Sequence, residues 1–376
     1  MVDLVFPSNK RPEKARLNRF LRIPLVSAAM IKAFFGGNVC NINNEIKAYK
    51  LDKSRSKLQL FKLRLKMVYY RFAYEFVYQE FVSFDFEHKT KKEILKNVSA
   101  FEYLRIMREI LIKDGPEKFD VFCDKRETYK KYSEFFKRDV VLIQNENDLS
   151  AFEDFTKKHK QFVVKPALNN NGKGIRFYDL TKDNISVKEI FDNALNDRGA
   201  IVEELINQKG ILNDFNPDSI NTIRYVTFYD NNKLTRISSG LRTGRKGSNI
   251  DNGTRGGLLI GVKKDTGEIY TKGQVEKSLK RFDEHPDSHI KYEGTFIPHW
   301  DELLDTIDKI VRVFPEKKYI GWDFAYSDKG WVLVEANGVP GHYFTQLVAE
   351  EGLRPLYSET FFKLSKDCEK YQKAIY

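Results

Sequence analysis

The chain has 376 residues, 41% of them hydrophobic, enough for two or three domains with cores of their own. Its 29 Phe and 19 Tyr argue against an intrinsically disordered chain, although 31% of residues are charged. Lys and Arg outnumber Asp and Glu by 64 to 53; this net charge of +11 favours anionic partners without choosing among nucleotide, nucleic acid, lipid and acidic glycan. The three cysteines lie far apart with no C-x-x-C pair, and no segment fits a signal peptide or a membrane span well, so we expect a cytoplasmic protein.

The first part of the chain is predicted to be helical, and the pattern changes near Gly115. Ser99 and Glu102 predict a capping box that opens a helix running to about Lys113. Before them, apolar residues recur at three- or four-residue spacing, which predicts a buried helical stripe of Phe61, Leu65, Val68, Phe72 and Phe76. Basic residues interleave with these aromatics. The segment therefore fits either a helix on a membrane surface or a helix packed on the next lobe.

The remainder of the chain reads as strands separated by turns and helices. Extended patterns occupy 140–143, 161–165, 200–204, 222–229, 236–241, 258–262 and 331–335, with helices at 301–313 and 355–376. We therefore predict an α+β protein. Its parts are a mainly helical basic domain at 1–116, a first α+β lobe at 117–197 and a second lobe at 198–376.

A glycine loop in the first lobe has the residue types of a phosphate site, although neither G-x-x-x-x-G-K-[ST] nor G-x-G-x-x-G occurs. The strand ending at Lys165 leads into this loop, which contains Asn171, Gly172, Lys173 and Gly174. Glycines let backbone N–H groups converge on an anion, and Lys165 supplies a cation beside them. Lys125, at the start of a helical stretch, is placed to reach the α- and β-phosphates. The alternative is a polar hairpin with a solvated lysine.

The strand at 200–204 ends on two acidic residues, Glu203 and Glu204. Its backbone groups could bind the edge of an adenine, and a carboxylate could accept a hydrogen bond from the adenine amino group. The simpler interpretation is a strand end with solvated carboxylates.

The most informative segment is the hairpin at 319–341. Two apolar runs flank Asp328-Lys329-Gly330, which predicts a three-residue loop with the glycine in the left-handed conformation. Pairing Ser327 with Trp331 then places Asp323 opposite Glu335, with Asn337 two residues further along the same face. Opposed carboxylates repel each other unless a cation lies between them, and two carboxylates with an amide oxygen suit Mg²⁺. The alternative is a hairpin whose acidic residues face water.

The stretch at 238–257 is rich in glycine and arginine. It could be a disordered arm that binds nucleic acid, or an active-site loop that orders on its substrates. Its position between two predicted strands favours the second interpretation, so nucleic acid is not an expected partner.

Several of these motifs together resemble the ATP-grasp superfamily in order and spacing. They are D-K at 124, V-K-P and N-G-K-G between 164 and 174, V-E-E-L-I at 202, G-W-D-F-A at 321 and V-E-A-N-G-x-P-G from 334. The segments N-T-I-R at 221, L-R-T-G-R at 241 and I-P-H-W at 297 look like its sugar-transfer-associated branch. The resemblance covers about 119–350.

The resemblance implies ATP held between two α+β lobes. Lys125 and Lys165 would contact its phosphates, and the loop at 170–174 would close over them. It also implies adenine at Glu203, Glu204 and Ile206, and one or two Mg²⁺ ions at Asp323, Glu335 and Asn337. Arg224 and Arg242 occupy positions similar to arginines that contact phosphate and acyl intermediate in related ligases, and Arg255 is a third candidate for stabilising charge in the reaction.

The activity implied is ligation of a carboxylate to an amine through an acyl phosphate. The branch suggests surface-polysaccharide assembly, in which an acidic sugar is joined to an amino acid or other small amine, with contact to a membrane or a lipid-linked glycan left open. Two alternatives remain: a kinase acting on an alcohol, and a noncatalytic ATP-binding partner of an assembly.

Overall fold

The computed structural model describes residues 19–115, 121–168, 174–247, 256–275, 278–349 and 351–361, without the side chains of 19–22 and 112–114. The helices are α1 Arg19–Phe34, α2 Ile42–Ala48, α3 Lys57–Tyr74, α4 Tyr78–Ser83, α5 Lys91–Ile94, α6 Ala100–Asp114, α7 Lys125–Phe136, α8 Leu149–Lys158, α9 Val187–Asn196, α10 Gly210–Phe215, α11 Trp300–Ile310, α12 His342–Ala349 and α13 Arg354–Glu359. The strands are β1 Val140–Ile143, β2 Gln161–Pro166, β3 Arg176–Asp179, β4 Ala200–Glu204, β5 Thr222–Asp230, β6 Lys233–Thr243, β7 Leu258–Val262, β8 Gly273–Val275, β9 Arg281–Phe282, β10 Tyr319–Ser327 and β11 Gly330–Asn337.

The chain divides into two compact units. The first contains 1–116, 271–282 and 341–376, and the second contains 117–270 and 283–340. The segments 271–282 and 341–376, which the sequence assigned to the second lobe, therefore group with the N-terminal helices.

Helix α6 of the first unit begins as the sequence predicts, with Ser99 Oγ accepting a hydrogen bond from the backbone N–H of Glu102 at 3.2 Å. The Glu102 carboxylate does not complete the predicted capping box, because it pairs with the Arg354 guanidinium. That guanidinium also donates to the carbonyl of Leu95 at 2.8 Å and to that of Asn97 at 2.9 Å. A buried ion pair thus joins the N-terminal helices to α13.

The predicted apolar stripe of α3 is only partly buried. Val68 is fully buried in the helix, whereas Phe61, Leu65 and Phe72 are half-buried. Phe76 is buried but lies beyond the helix end, because Glu75 adopts the left-handed conformation at φ 63° and terminates α3. No single described helix is long and apolar enough to span a membrane; the pair Ile23–Phe34 and Val39–Ala48, bent by 78°, meets the criterion together on length and composition.

The second unit contains two antiparallel sheets. One has the order β1-β4-β2-β3, and the other includes the run β11-β10-β5-β6-β7. Helices α8 and α9 cover one face of the first sheet, with a core that includes Phe152, Phe162, Phe191 and Val202. The α+β fold class with helices preceding the sheets is confirmed.

Candidate active site

The β10–β11 hairpin places Asp323 directly opposite Glu335, as predicted. The predicted pairing at the turn is wrong, since Ser327 pairs with Gly330 and Tyr326 pairs with Trp331. A register shift between Asp323 and Phe324 restores the predicted alignment. The extra residue of this β-bulge is Val334, which has no partner in the register.

The Asp323 carboxylate is buried and forms ion pairs with two arginines. Strand β5 pairs Arg224 with Asp323, and the Arg224 Nε and Nη2 atoms both bond to the carboxylate, Nη2 to Oδ2 at 2.6 Å. Arg242, from β6, places Nη1 3.2 Å from the same Oδ2. Both arginine side chains are largely buried. Three neighbouring strands therefore bring together one predicted metal ligand and two of the arginines predicted to be catalytic.

The other two predicted ligands complete an oxygen-rich group. Glu335 faces Asp323, and Asn337 pairs with Gly321 two positions along the strand. Asn337 Nδ2 is buried and has no hydrogen-bond partner in the described part of the chain. Two carboxylates and an amide oxygen are hard ligands that suit Mg²⁺. The Nδ2 group is a hydrogen-bond donor, so it would engage an acceptor such as a phosphate oxygen and not the ion itself. The residues present therefore fit a magnesium ion.

A second charged group lies at the predicted phosphate site. Lys165 Nζ is 2.8 Å from Glu203 Oε2. Burial lowers the pKa of Lys125 below its ordinary value, and Lys165 acts in the same direction, while Glu335 and Glu203 oppose the shift. These couplings place both predicted phosphate lysines in one electrostatic cluster with Glu335. The backbone N–H of Lys125 also bonds to the carbonyl of Ala167 at 3.0 Å, at the end of the β2 strand segment.

Glu203 is almost completely buried and is held by two cations. Arg138 donates to Glu203 Oε2 from Nη2 at 2.6 Å and from Nε at 2.9 Å, beside the contact from Lys165. Burial alone would raise the pKa of Glu203, but Arg138 and Lys165 outweigh it and hold that pKa below its ordinary value. The carboxylate predicted at the adenine thus lies against Lys165, which is predicted to bind phosphate.

The other predicted adenine residues line a small pocket. Glu204 and Ile206 lie on its wall together with Lys329 and Val332 of the β10–β11 hairpin. Glu204 accepts hydrogen bonds from Lys329 Nζ at 3.0 Å and from the backbone N–H of Asp139 at 3.0 Å. The segment after β4 and the β10–β11 hairpin therefore line the same small pocket.

A family model described as sugar-transfer associated ATP-grasp matches residues 115–361, more than half of the chain. The chain belongs to this family. No curated protein matches the chain.

Several solved structures resemble this ATP-grasp protein. D-alanyl-alanine synthetase A from Vibrio cholerae aligns with TM-score 0.40 and 14% identity over 68% of this chain and 65% of its own. An L-amino acid ligase from Bacillus licheniformis aligns with TM-score 0.36 and 13% identity over 62% and 48%. The biotin carboxylase domain of 2-oxoglutarate carboxylase from Hydrogenobacter thermophilus was solved in complex with MgADP, ADP and bicarbonate. It aligns with TM-score 0.36 and 11% identity over 62% of this chain and 47% of its own. Each alignment spans less than two thirds of the related chain.

Four residues predicted for this ATP-grasp site, Asn171, Gly172, Lys173 and Arg255, lie outside the described residues. Gly174 is described and has φ +78°, the left-handed conformation that glycine adopts without strain. The last residue of the predicted flap therefore has the backbone geometry expected of a tight turn.

Two residues that organise the candidate site were given no role from the sequence. Arg138 joins the lobes, because its Nη1 also donates to the carbonyl of Leu333 in β11 at 2.7 Å. Asn221 is fully buried; its Nδ2 donates to the carbonyl of Leu212 at 2.7 Å, and its Oδ1 accepts from Thr243 Oγ1 at 2.7 Å. It fixes the start of β5 against the end of β6, the strands that carry the two arginines. The N-T-I-R motif marked Asn221, whereas no local pattern marked Arg138.

Proposed function

We propose that the protein is an ATP-dependent carboxylate–amine ligase. A carboxylate oxygen of the substrate attacks the γ-phosphorus of ATP, and ADP leaves. The nitrogen of an amine then attacks the carbonyl carbon of the acyl phosphate, phosphate leaves, and the amine gives up a proton to form the amide.

The observation that carries this proposal is the convergence on Asp323. A buried carboxylate opposite Glu335, with Arg224 and Arg242 bonded to it, combines metal-binding oxygens and guanidinium groups in one place. Phosphoryl transfer requires positioning and charge neutralisation more than covalent chemistry by the protein, so a site without a nucleophile is sufficient.

Each group has a role in this scheme. Lys125 and Lys165 bind phosphate oxygens of ATP, and Glu204 and Ile206 lie beside the adenine. Asp323, Glu335 and Asn337 would hold Mg²⁺, which neutralises charge on the phosphate oxygens. Arg224 and Arg242, displaced from Asp323, stabilise the charge that develops on the transferred phosphoryl group and on the tetrahedral carbon.

The proposed substrate class is supported by the family description and by the charge of the chain. Sugar transfer and a net charge of +11 support a uronic acid as the carboxylate donor, joined to an amino acid or small amine in surface-polysaccharide assembly. We place the reaction in the cytoplasm, where ATP is supplied.

The test measures ADP and phosphate release with a panel of uronic-acid sugars, each with and without amines. Amine-dependent phosphate release, with an amide product seen by mass spectrometry, is the expected result. Glu335→Gln should abolish it and weaken Mg-ATP binding in calorimetry, whereas Glu153→Gln, at an exposed position on α8, should change neither. ADP release without an amine, with a phosphorylated alcohol as product, would make the protein a kinase. Nucleotide binding without turnover on any substrate would support a noncatalytic role.

A further inference from the structure

Helix α1 exposes an apolar surface on the N-terminal unit. Phe35 just beyond its end is 81% exposed, Ile31 is 60% exposed, and Leu58 at the start of α3 is 62% exposed. The side chains of Ile23, Leu25 and Phe34 on α1 are exposed as well. We call this set of six residues the α1 face. Large exposed apolar surfaces of this kind mark sites that contact another molecule or a membrane.

The helix is packed on its opposite side, so this exposure is a property of the fold. Ala29 and Ala33 are buried beneath it. The Phe34 ring lies edge-on to the Phe61 ring of α3, with centroids 5.4 Å apart, which ties the end of α1 to the start of α3. A helix with small residues inside and large apolar residues outside has its hydrophobic side directed away from the protein core.

Charge around the α1 face identifies its partner. Between 23 and 35 the only charged residue is Lys32, which is exposed. Lys57 and Lys62 flank Leu58 on α3 and are also exposed. In the sequence, 1–22 adds a further cationic excess over Asp3 and Glu13, namely Lys10, Arg11, Lys14, Arg16, Arg19 and Arg22. Apolar residues bordered by cations complement the acyl chains and headgroups of an anionic lipid surface.

The geometry favours a helix that lies on the membrane over one that crosses it. The second half of the bent apolar pair, Val39–Ala48, has Ile42 and Ile46 buried within the N-terminal unit. Within this bent pair, the exposed large apolar side chains that the structure describes lie on α1.

We propose that the α1 face docks the protein on an anionic lipid surface. Ile31, Phe35 and Leu58 insert among the acyl chains, and Lys32, Lys57 and Lys62 contact the headgroups. This inference is independent of the proposed ligase activity, since it rests on the N-terminal unit alone.

The test is cosedimentation of the full chain with vesicles of phosphatidylcholine containing 30% phosphatidylglycerol, compared with pure phosphatidylcholine. We expect binding to the anionic vesicles that weakens with added salt. Phe35→Ser should reduce the affinity about tenfold, because burial of a large apolar side chain is lost. Lys57→Gln and Lys62→Gln should each reduce it about fivefold. Phe296→Ser, which removes an exposed phenylalanine from the second unit, is the matched control and should have no effect.

Far-UV circular dichroism and thermal melting should be unchanged in these variants, because the altered side chains are exposed. Absence of vesicle binding, or equal loss of binding in Phe35→Ser and Phe296→Ser, would overturn the proposal. So would a concentration-dependent dimer that Phe35→Ser dissociates while vesicle binding persists, because the α1 face would then be a protein interface.

Discussion

Replacing Arg138 by Met should destabilise the second unit strongly. The guanidinium is buried and makes four hydrogen bonds, two to Glu203 and one each to the carbonyls of Phe136 and Leu333. Its removal leaves a buried carboxylate with Lys165 as its remaining cationic hydrogen-bond partner in the described part of the chain, together with two carbonyls that lose a donor. Removing one partner of a buried ion pair lowers the free energy of unfolding by about 3–5 kcal/mol. We expect a loss near the lower value, because Lys165 still pairs with the Glu203 carboxylate.

For a unit of this size, a loss of about 3 kcal/mol lowers Tm by about 6–12 °C, which differential scanning calorimetry resolves. The matched control is Arg176→Met, because Arg176 pairs with Asp197 through side chains that are 37% and 36% exposed. That pair should be worth less than about 1 kcal/mol.

A second substitution, at Glu203, separates the cost of the unpaired carboxylate from the other effects of losing Arg138. In Arg138→Met with Glu203→Gln, no carboxylate is left buried, so the double variant should be more stable than Arg138→Met alone. Equal Tm values for Arg138→Met and Arg176→Met, or a double variant that is less stable than Arg138→Met, would refute the reasoning.

Two further predictions concern His285 and Gly338. Burial lowers the pKa of His285, whose Nε2 donates to the carbonyl of Gly244 while Nδ1 accepts from backbone N–H groups. Because the unfolded chain then binds the proton more readily, this contribution to stability is lost as pH falls from about 6.5, by up to about 1.4 kcal/mol per pH unit. Urea unfolding between pH 5 and 7 should show a shallower pH slope in His285→Gln than in His289→Gln, and identical slopes would contradict this. Gly338→Ala places a Cβ 2.9 Å from the Phe122 ring, so urea unfolding should show a loss of about 1–3 kcal/mol. Gly341→Ala, which meets nothing within 4 Å, should be neutral, and an equal loss in both would count against the packing argument.

The strands and the metal hairpin could be predicted because their signals are local. Alternation of apolar residues around a short turn was enough to place Asp323 opposite Glu335, although the turn pairing was wrong by one residue. The bulge at Val334 compensated for that error. No residue type in the hairpin sequence predicts a bulge at that position. The predicted pairing of Asp323 with Glu335 was therefore right for a reason that the sequence did not contain.

The partners of the charged residues could not be predicted. Arg138 reaches Glu203 across 65 positions and Leu333 across 195, and such contacts depend on the packing of two lobes. The sequence placed Glu203 at the adenine because strand ends usually offer backbone groups there. The structure shows its carboxylate bound between two cations. Likewise, Arg224 and Arg242 were singled out for substrate, and their bonds to Asp323 became visible only in the folded sheet.

The bulge in β11 separates the tip of the hairpin from its ligand-bearing base. Asp323 is aligned independently by β5, which pairs with β10 from Tyr319 to Phe324. Inserted residues between Asp328 and Lys329 would thus lengthen an exposed tip while the ligands keep their alignment. Because Lys329 bonds to Glu204 on the wall of the predicted adenine pocket, such an insertion would alter that pocket and leave the Asp323–Glu335 pairing intact.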